Sequence, residues 1–178
     1  EKHLPEGQEE IARKIDSLLN EVEEANNTVQ RVTMQLRPKM LDDLGFDAAV
    51  EWELQKLEER SDIKCEMKMD MDGVDLDKDA SIILYRILQE GLTNVLRHAN
   101  ASRIRIRFRR LDNTAELVIV DNGRGIRQEE IHDINSHGLS GMRERAQSWN
   151  GTFRIRGVQN IGTVVRVTLP LNEEYRLE

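Results

Sequence analysis

The chain has one cysteine, three prolines and only 4% aromatic side chains among its 178 residues. A single thiol, Cys65, cannot close an internal disulfide or build a cysteine-rich metal site, and such scarcity fits a reducing compartment. With so few aromatics the core must be aliphatic. No apolar run approaches the ~18 residues that a membrane span needs, and nothing at the start reads as a signal peptide. An excess of positive charge is missing too. The 33 acidic side chains outnumber the 26 basic ones for a net −7, whereas a dedicated nucleic-acid binder carries a basic footprint. Glycine-rich phosphate loops of the G-x-x-x-x-G-K-[ST] and G-x-G-x-x-G types are absent, as are H-E-x-x-H, paired C-x-x-C and G-x-S-x-G. P-loop, Rossmann, zinc and serine-hydrolase readings therefore lose their usual support. Because the first residue is Glu1 and not methionine, the chain is expected to be a piece of something longer.

What is present divides the chain in two. Residues 1–60 carry 15 acidic and 8 basic groups, while the remainder carries 18 of each. Within the first part, Ile11, Ile15, Leu18, Val22, Ala25, Val29, Val32 and Leu36 follow an alternating four-three spacing, the a/d register of a coiled coil. One helix cannot bury that seam against itself, so pairing with a second helix or a second chain is expected. Pro38 interrupts the register. A further helix is predicted beyond Gly45, with Asp47 as candidate cap and Phe46, Val50, Leu54 and Leu57 on one face.

From Ile63 the period changes. Cys65, Met67 and Met69 alternate with charged residues as in a half-buried strand closed by a turn at Asp72-Gly73. Residues 79–99 read as a helix. Arg103 to Arg109 alternates strictly, which places Arg103, Arg105, Arg107 and Arg109 on a solvated sheet face opposite Ile104, Ile106 and Phe108. Glu116 to Val120 is a buried strand, and Arg143 to Asn150 a short helix ended by Gly151. Phe153 to Arg156 and Thr163 to Leu169 complete a hairpin. The order predicts an α+β sandwich with helices on one face of a mixed sheet.

Three clusters could do chemistry. Glu90, Asn94 and His98 recur at steps of four, within an arc of about 80° on one helix. They run beside the apolar stripe of Leu84, Leu88, Leu92, Val95 and Ala99, where they could hold hydrated Mg²⁺ and triphosphate oxygens. Alone, such a pattern is more often a solvated helix face. Asp121-Asn122-Gly123-Arg124-Gly125 follows the strand Leu117-Val118-Ile119-Val120. A carboxylate at a buried strand end can accept from an adenine amino group, and glycines let backbone approach a flat ring. Alone, it is a common turn sequence. His137-Gly138-Leu139-Ser140-Gly141-Met142 leads into the predicted helix with free N–H groups for anionic oxygens. The polar stretch from Arg127 to Ser136 reads as a lid.

Together and in this order the clusters are specific. Glu90-x-x-x-Asn94-x-x-x-His98-Ala99, Asp121-x-Gly123-x-Gly125, His137-Gly138-Leu139-x-Gly141-Met142 and Gly162-Thr163 resemble the N box and glycine boxes of the GHKL ATPases. That superfamily includes sensor histidine kinases, type II topoisomerases and mismatch-repair ATPases. Leu36-Arg37-Pro38, Leu41-Asp42-Asp43-Leu44-Gly45 and Met142-Arg143-Glu144-Arg145-Ala146 look like the two-component kinases that drive response regulators with helix-turn-helix output. The resemblance implies a Bergerat-type ATP-binding α/β sandwich over residues 46–178, preceded over residues 1–45 by part of a dimerisation helix and linker. It implies that Asn94 ligates Mg²⁺ and that Glu90 orders the metal's water or polarises the γ-phosphate. Asp121 would read the adenine amino group, with Gly123, Gly125 and Ile126 at the base and Thr163 joined to Asp121 through water. His98, His137, Gly138, Leu139, Ser140, Gly141 and Met142 would lie at the phosphates.

The implied reaction is γ-phosphoryl transfer from ATP to a histidine, leaving ADP, for relay to a response-regulator aspartate. The implied setting is a cytoplasmic homodimer without direct nucleic-acid contact, with any membrane anchor upstream. The acceptor histidine itself is missing: His3 lies outside the heptads, and His132-Asp133 mimics an acceptor dipeptide from within the lid. A nucleotide-dependent interaction module and an anti-sigma-type serine kinase are the competing readings. Intact Asn94 and Asp121 speak against the first, and the heptads with Leu36-Arg37-Pro38 against the second.

Overall fold

A computed structural model describes Lys14 and residues 39–71, 76–132 and 137–171. The chain divides into two compact units, Glu1–Arg37 and Pro38–Glu178. Apart from Lys14, which is helical, the heptad segment lies outside the described residues, as do Pro38 and the turn at Asp72-Gly73.

The second unit opens with α1 (Lys39–Leu44) and α2 (Phe46–Arg60). The sequence reading placed residues 39–45 with the lead-in. In the structure α1 belongs to the second unit, and Leu41 is buried in the same core as Ala49, Val50, Leu54 and Leu57 of α2. Asp47 is not the cap of α2. Gly45 stands at that position with φ +81°, and the helix has no side-chain cap. Phe46 instead meets Phe108 edge-on, ring centroids 5.0 Å apart, which anchors the helix start to the sheet.

Strand β1 (Lys64–Asp70) leads to α3 (Lys78–Asn94), which continues as a π-helical turn, Val95–Ala99. Asp77 caps α3 by accepting from the Asp79 N–H at 2.8 Å. Then come β2 (Arg103–Leu111), β3 (Thr114–Asp121), α4 (Gln128–His132), α5 (His137–Ser148) and the hairpin β4 (Thr152–Val158) with β5 (Gly162–Pro170). The sheet order is β1-β2-β3-β5-β4. Among the described strands only β1 and β2 run parallel, and α3 is the crossover a parallel pair requires. The other pairs are antiparallel.

Alternation sorts each strand. Ile104, Ile106 and Phe108 of β2, Ala115, Leu117 and Ile119 of β3, and Val165, Val167 and Leu169 of β5 are buried. They meet the stripe of α3, where Leu84, Leu88, Leu92, Val95 and Ala99 are buried as the spacing predicts. Gly91 lets α3 lie close on β3, because a Cβ there would come 2.6 Å from Ile119 Cδ1. Arg103, Arg105 and Arg107 are exposed on the opposite face. The result is the expected two layers, with helices on one side of a mixed sheet.

Candidate functional site

The site assembles at one end of β3, where three pieces of chain meet. Asp121 ends that strand on the core-facing side, in phase with Ile119 and Leu117. It is only 6% exposed. Its Oδ1 accepts from the Gly123 N–H at 2.8 Å, and its other oxygen has no hydrogen-bond partner among the described residues. Thr163 of β5 stands beside it, since Val120 pairs with Val164 in the register. Gly162, at φ +139°, passes so close that a Cβ would overlap the Asp121 carbonyl oxygen.

The loop after Asp121 is held by its neighbours. A Cβ at Gly123 would overlap the carbonyl of Ala99, and one at Gly125, where φ is +76°, that of Val158. Gly157 gives room in the same way to the backbone of Ile126. Asn122 Oδ1 accepts from the N–H groups of Ser102 and Arg103 at 3.0 and 2.8 Å, tying the end of β3 to the start of β2. Arg124 does more. Its N–H donates to the Ala99 carbonyl at 2.8 Å and its Nε to the His98 carbonyl at 2.7 Å, which ties off the π turn. Its Nη1 and Nη2 then take both oxygens of Glu130 at 3.1 and 2.8 Å, so this loop also grips α4. These two arginine and glutamate positions were not singled out in the sequence, where Arg124 is only a spacer between glycines.

Glu90 and Asn94 project from α3 toward the first turn of α5. A Cβ at Gly138 would overlap Glu90 Oε1 and lie 3.6 Å from Asn94 Oδ1. Among the described residues Glu90 accepts no hydrogen bond or ion pair, and Asn94 Nδ2 is buried without a partner. A buried amide donor left open costs free energy unless something fills the place. The helix α5 begins at His137, earlier than the expected start at Arg143, so Gly138 and Gly141 lie inside it. Helical continuation wins there because Leu139, Met142 and Ala146 are buried at helical spacing. Leu139 and Met142 therefore anchor α5 from the core, while Gly138, Ser140 and Gly141 are only half-buried.

Two of the expected residues are less engaged. His98 is exposed, and the π turn carries it off the straight line of Glu90 and Asn94. His137 is exposed at the start of α5. Arg145 was missed. Its guanidinium lies over Gly141, 3.2 to 3.5 Å from where a Cβ would stand. Burial lowers its pKa while the Glu90 carboxylate nearby pulls it back up. Of the stretch expected as a lid, residues 128–132 form α4, and residues 133–136 lie outside the described residues.

Residues 79–173 match the model of the histidine kinase-, DNA gyrase B- and HSP90-like ATPases, more than half of the chain. The chain belongs to that family. Its ATPase domain, the ATP-binding catalytic portion, begins on α3 and runs through β5.

Relatives extend the likeness beyond the domain. The signal transduction histidine-protein kinase/phosphatase DegS of Brevibacillus brevis is 32% identical over 94% of this chain and 43% of its own length. Sensor histidine kinase LiaS of Bacillus subtilis is 26% identical over 99% of this chain and 48% of its own. The chain thus spans less than half the length of these relatives. Of solved structures, the histidine kinase domain of the Erythrobacter litoralis blue-light-activated kinase EL346 superposes with TM-score 0.61 at 21% identity, covering 71% of this chain and 61% of that one. Acinetobacter baumannii histidine kinase AdeS superposes with TM-score 0.61 at 20% identity, covering 89% and 84%. At those identities the structures establish the shared fold. The named relatives are histidine kinases, and neither the serine-kinase nor the non-catalytic reading is favoured. No helix among the described residues is long and apolar enough to cross a membrane.

Proposed function

We propose that this ATPase domain serves a cytoplasmic sensor histidine kinase, transferring the γ-phosphoryl group of ATP to a histidine outside residues 46–178. The observation that carries the reading is the pairing of two open polar ends in one site. Asp121 is buried with one carboxylate oxygen unclaimed, and the Nδ2 of half-buried Asn94 is itself buried and unclaimed among the described residues. The first suits an adenine amino group, the second a phosphate oxygen. Gly123, Gly125 and Ile126 form the floor of the base pocket, and Thr163 shares a water with Asp121. Gly138, Ser140 and Gly141 bring backbone to the phosphates, with His98 and His137 at their rim.

Mg²⁺ fits this donor set. Among the described residues no cluster of three or more His, Cys, Asp or Glu side chains could cage a metal. Magnesium typically takes one or two protein oxygens and completes its shell with water and substrate phosphates. Asn94 Oδ1 would be its protein ligand, and Glu90 would accept from its water. When bound, the ion neutralises developing charge on the phosphates. The residues of the chain hold the nucleotide for in-line attack, in which the bond from γ-phosphorus to the bridging oxygen breaks and a phosphorus–nitrogen bond forms on the acceptor. The products are ADP and a phosphohistidine, which a response-regulator aspartate then discharges. Residues 1–37 supply part of a dimerisation helix, and the heptad seam supports a homodimer.

Calorimetric titration tests the site. Wild type is expected to bind a magnesium-bound non-hydrolysable ATP analogue with micromolar affinity and a GTP analogue far more weakly. Asp121→Ala should lose at least about tenfold, the worth of a hydrogen bond to a charged group. Equal affinity for both bases, or an unaffected variant, would sink the assignment of Asp121.

A further inference from the structure

A chain of side-chain hydrogen bonds crosses from α2 to α3 one turn before Glu90. Glu53 Oε1 accepts from Tyr85 Oη at 2.9 Å and from Gln89 Nε2 at 2.7 Å. Gln89 Oε1 accepts from Arg86 Nη1 at 2.9 Å, and its backbone carbonyl accepts from Thr93 Oγ1 at 2.9 Å. The amide of Gln89 therefore has one sensible orientation. Its NH₂ group must face the carboxylate, which leaves only its oxygen for the guanidinium. On a helix with 3.6 residues per turn, Arg86, Glu90 and Asn94 share one line, while Tyr85 and Gln89 form the neighbouring line toward α2.

That arrangement answers a question the spacing raises. Arg86 and Glu90 are four residues apart, where opposite charges ordinarily pair. They do not pair here: among the described residues Glu90 accepts no ion pair, and Arg86 is turned to Gln89. Arg86 is half-buried, and burial lowers its pKa while Tyr85 and Glu53 raise it. Resting on the nucleotide-site reading above, we infer that Glu53 is a positioning residue for the phosphate end of the site: through Gln89 it holds the Arg86 guanidinium off Glu90. The Glu90 carboxylate is thereby kept open to accept from water in the metal's shell. With the clamp cut, Gln89 no longer presents a fixed oxygen to Arg86, and the bias of that guanidinium away from Glu90 is lost.

Calorimetry on the whole chain distinguishes this from ordinary helix packing. For Glu53→Ala, affinity for the magnesium-bound ATP analogue should fall by about fivefold or more, while adenosine binding stays within about twofold of wild type. Glu53→Gln keeps an amide oxygen able to accept from both donors and should restore the analogue to within about twofold of wild type. Should the alanine variant fail to fold, Gln89→Met removes the same link with an unbranched side chain of similar length. Parallel weakening of adenosine and the analogue, or no change in either, overturns the positioning role. A wild type that binds none of these ligands overturns the nucleotide reading itself and this inference with it.

Discussion

Two carboxylates are buried among the described residues, and they are buried for opposite reasons. Glu116 is 1% exposed and lies on the outer sheet face, where Arg109 Nε reaches one oxygen at 2.5 Å and Arg166 Nη1 the other at 2.7 Å. Its charge is answered on both sides. Asp121 is answered on one side only, by the Gly123 N–H. Sequence pattern could single out Asp121 because its glycines are neighbours in the chain. Arg124, Arg145 and Glu53 stayed hidden because their partners lie on other elements, and a lone charge in sequence is ordinarily a solvated one. Glu130 shows how such a partner acts. The Arg124 guanidinium, helped by the Arg127 N–H, holds its carboxyl down at about 2 against an ordinary 4.5. A value depressed by folding stabilises the native state above the unfolded pKa, and that contribution is lost as pH falls from about 4.5 toward 2. Both side chains are partly in water, 41% and 30% exposed, so the pair contributes less than about 1 kcal/mol. Urea unfolding at pH 6 and at pH 3 should show a smaller loss of stability on acidification for Glu130→Gln than for wild type. Identical losses would remove Glu130 from the acid response.

At the scale of elements, periodicity located the helices and strands of the ATPase domain well, and it erred where backbone geometry answers to a distant neighbour. The π turn at Val95–Ala99 could not be read from an apolar stripe that continues through it. Its carbonyls face Arg124, 26 residues after His98 along the chain. The early start of α5 was masked by two glycines, which cost helix stability in isolation. At Gly138 a Cβ would overlap Glu90 Oε1, the far end of a side chain. Glycine substitutions should therefore split by what they meet. Gly162→Ala confronts backbone, the Asp121 carbonyl, at a φ of +139°. It should cost about 3 kcal/mol or more in urea unfolding. Gly138→Ala meets the movable end of the Glu90 side chain. It should leave unfolding within about 1 kcal/mol of wild type yet weaken the magnesium-bound ATP analogue. Equal destabilisation by the two substitutions would refute the distinction.

At the scale of the whole molecule, the proposed transfer needs an acceptor histidine outside residues 46–178. Of the four histidines, His98 and His137 are exposed, and the backbone of His132 ends α4. Incubated alone with γ-labelled ATP and Mg²⁺, the chain should take up no acid-labile label. Stable label mapped to His132 would make that residue an acceptor and overturn the expectation. The sequence by itself determined the two-layer class, the core stripes, the arginine face and the order of the three boxes. Each of those rests on spacing within one stretch of chain. Only the tertiary structure decided that Arg124 ties the π turn to α4, that Gly138 closes over Glu90, and that Glu53 and Arg86 meet at Gln89. Those contacts join residues up to 48 positions apart. Their energies depend on burial and geometry that come into being only when α3, α5 and the sheet are packed together.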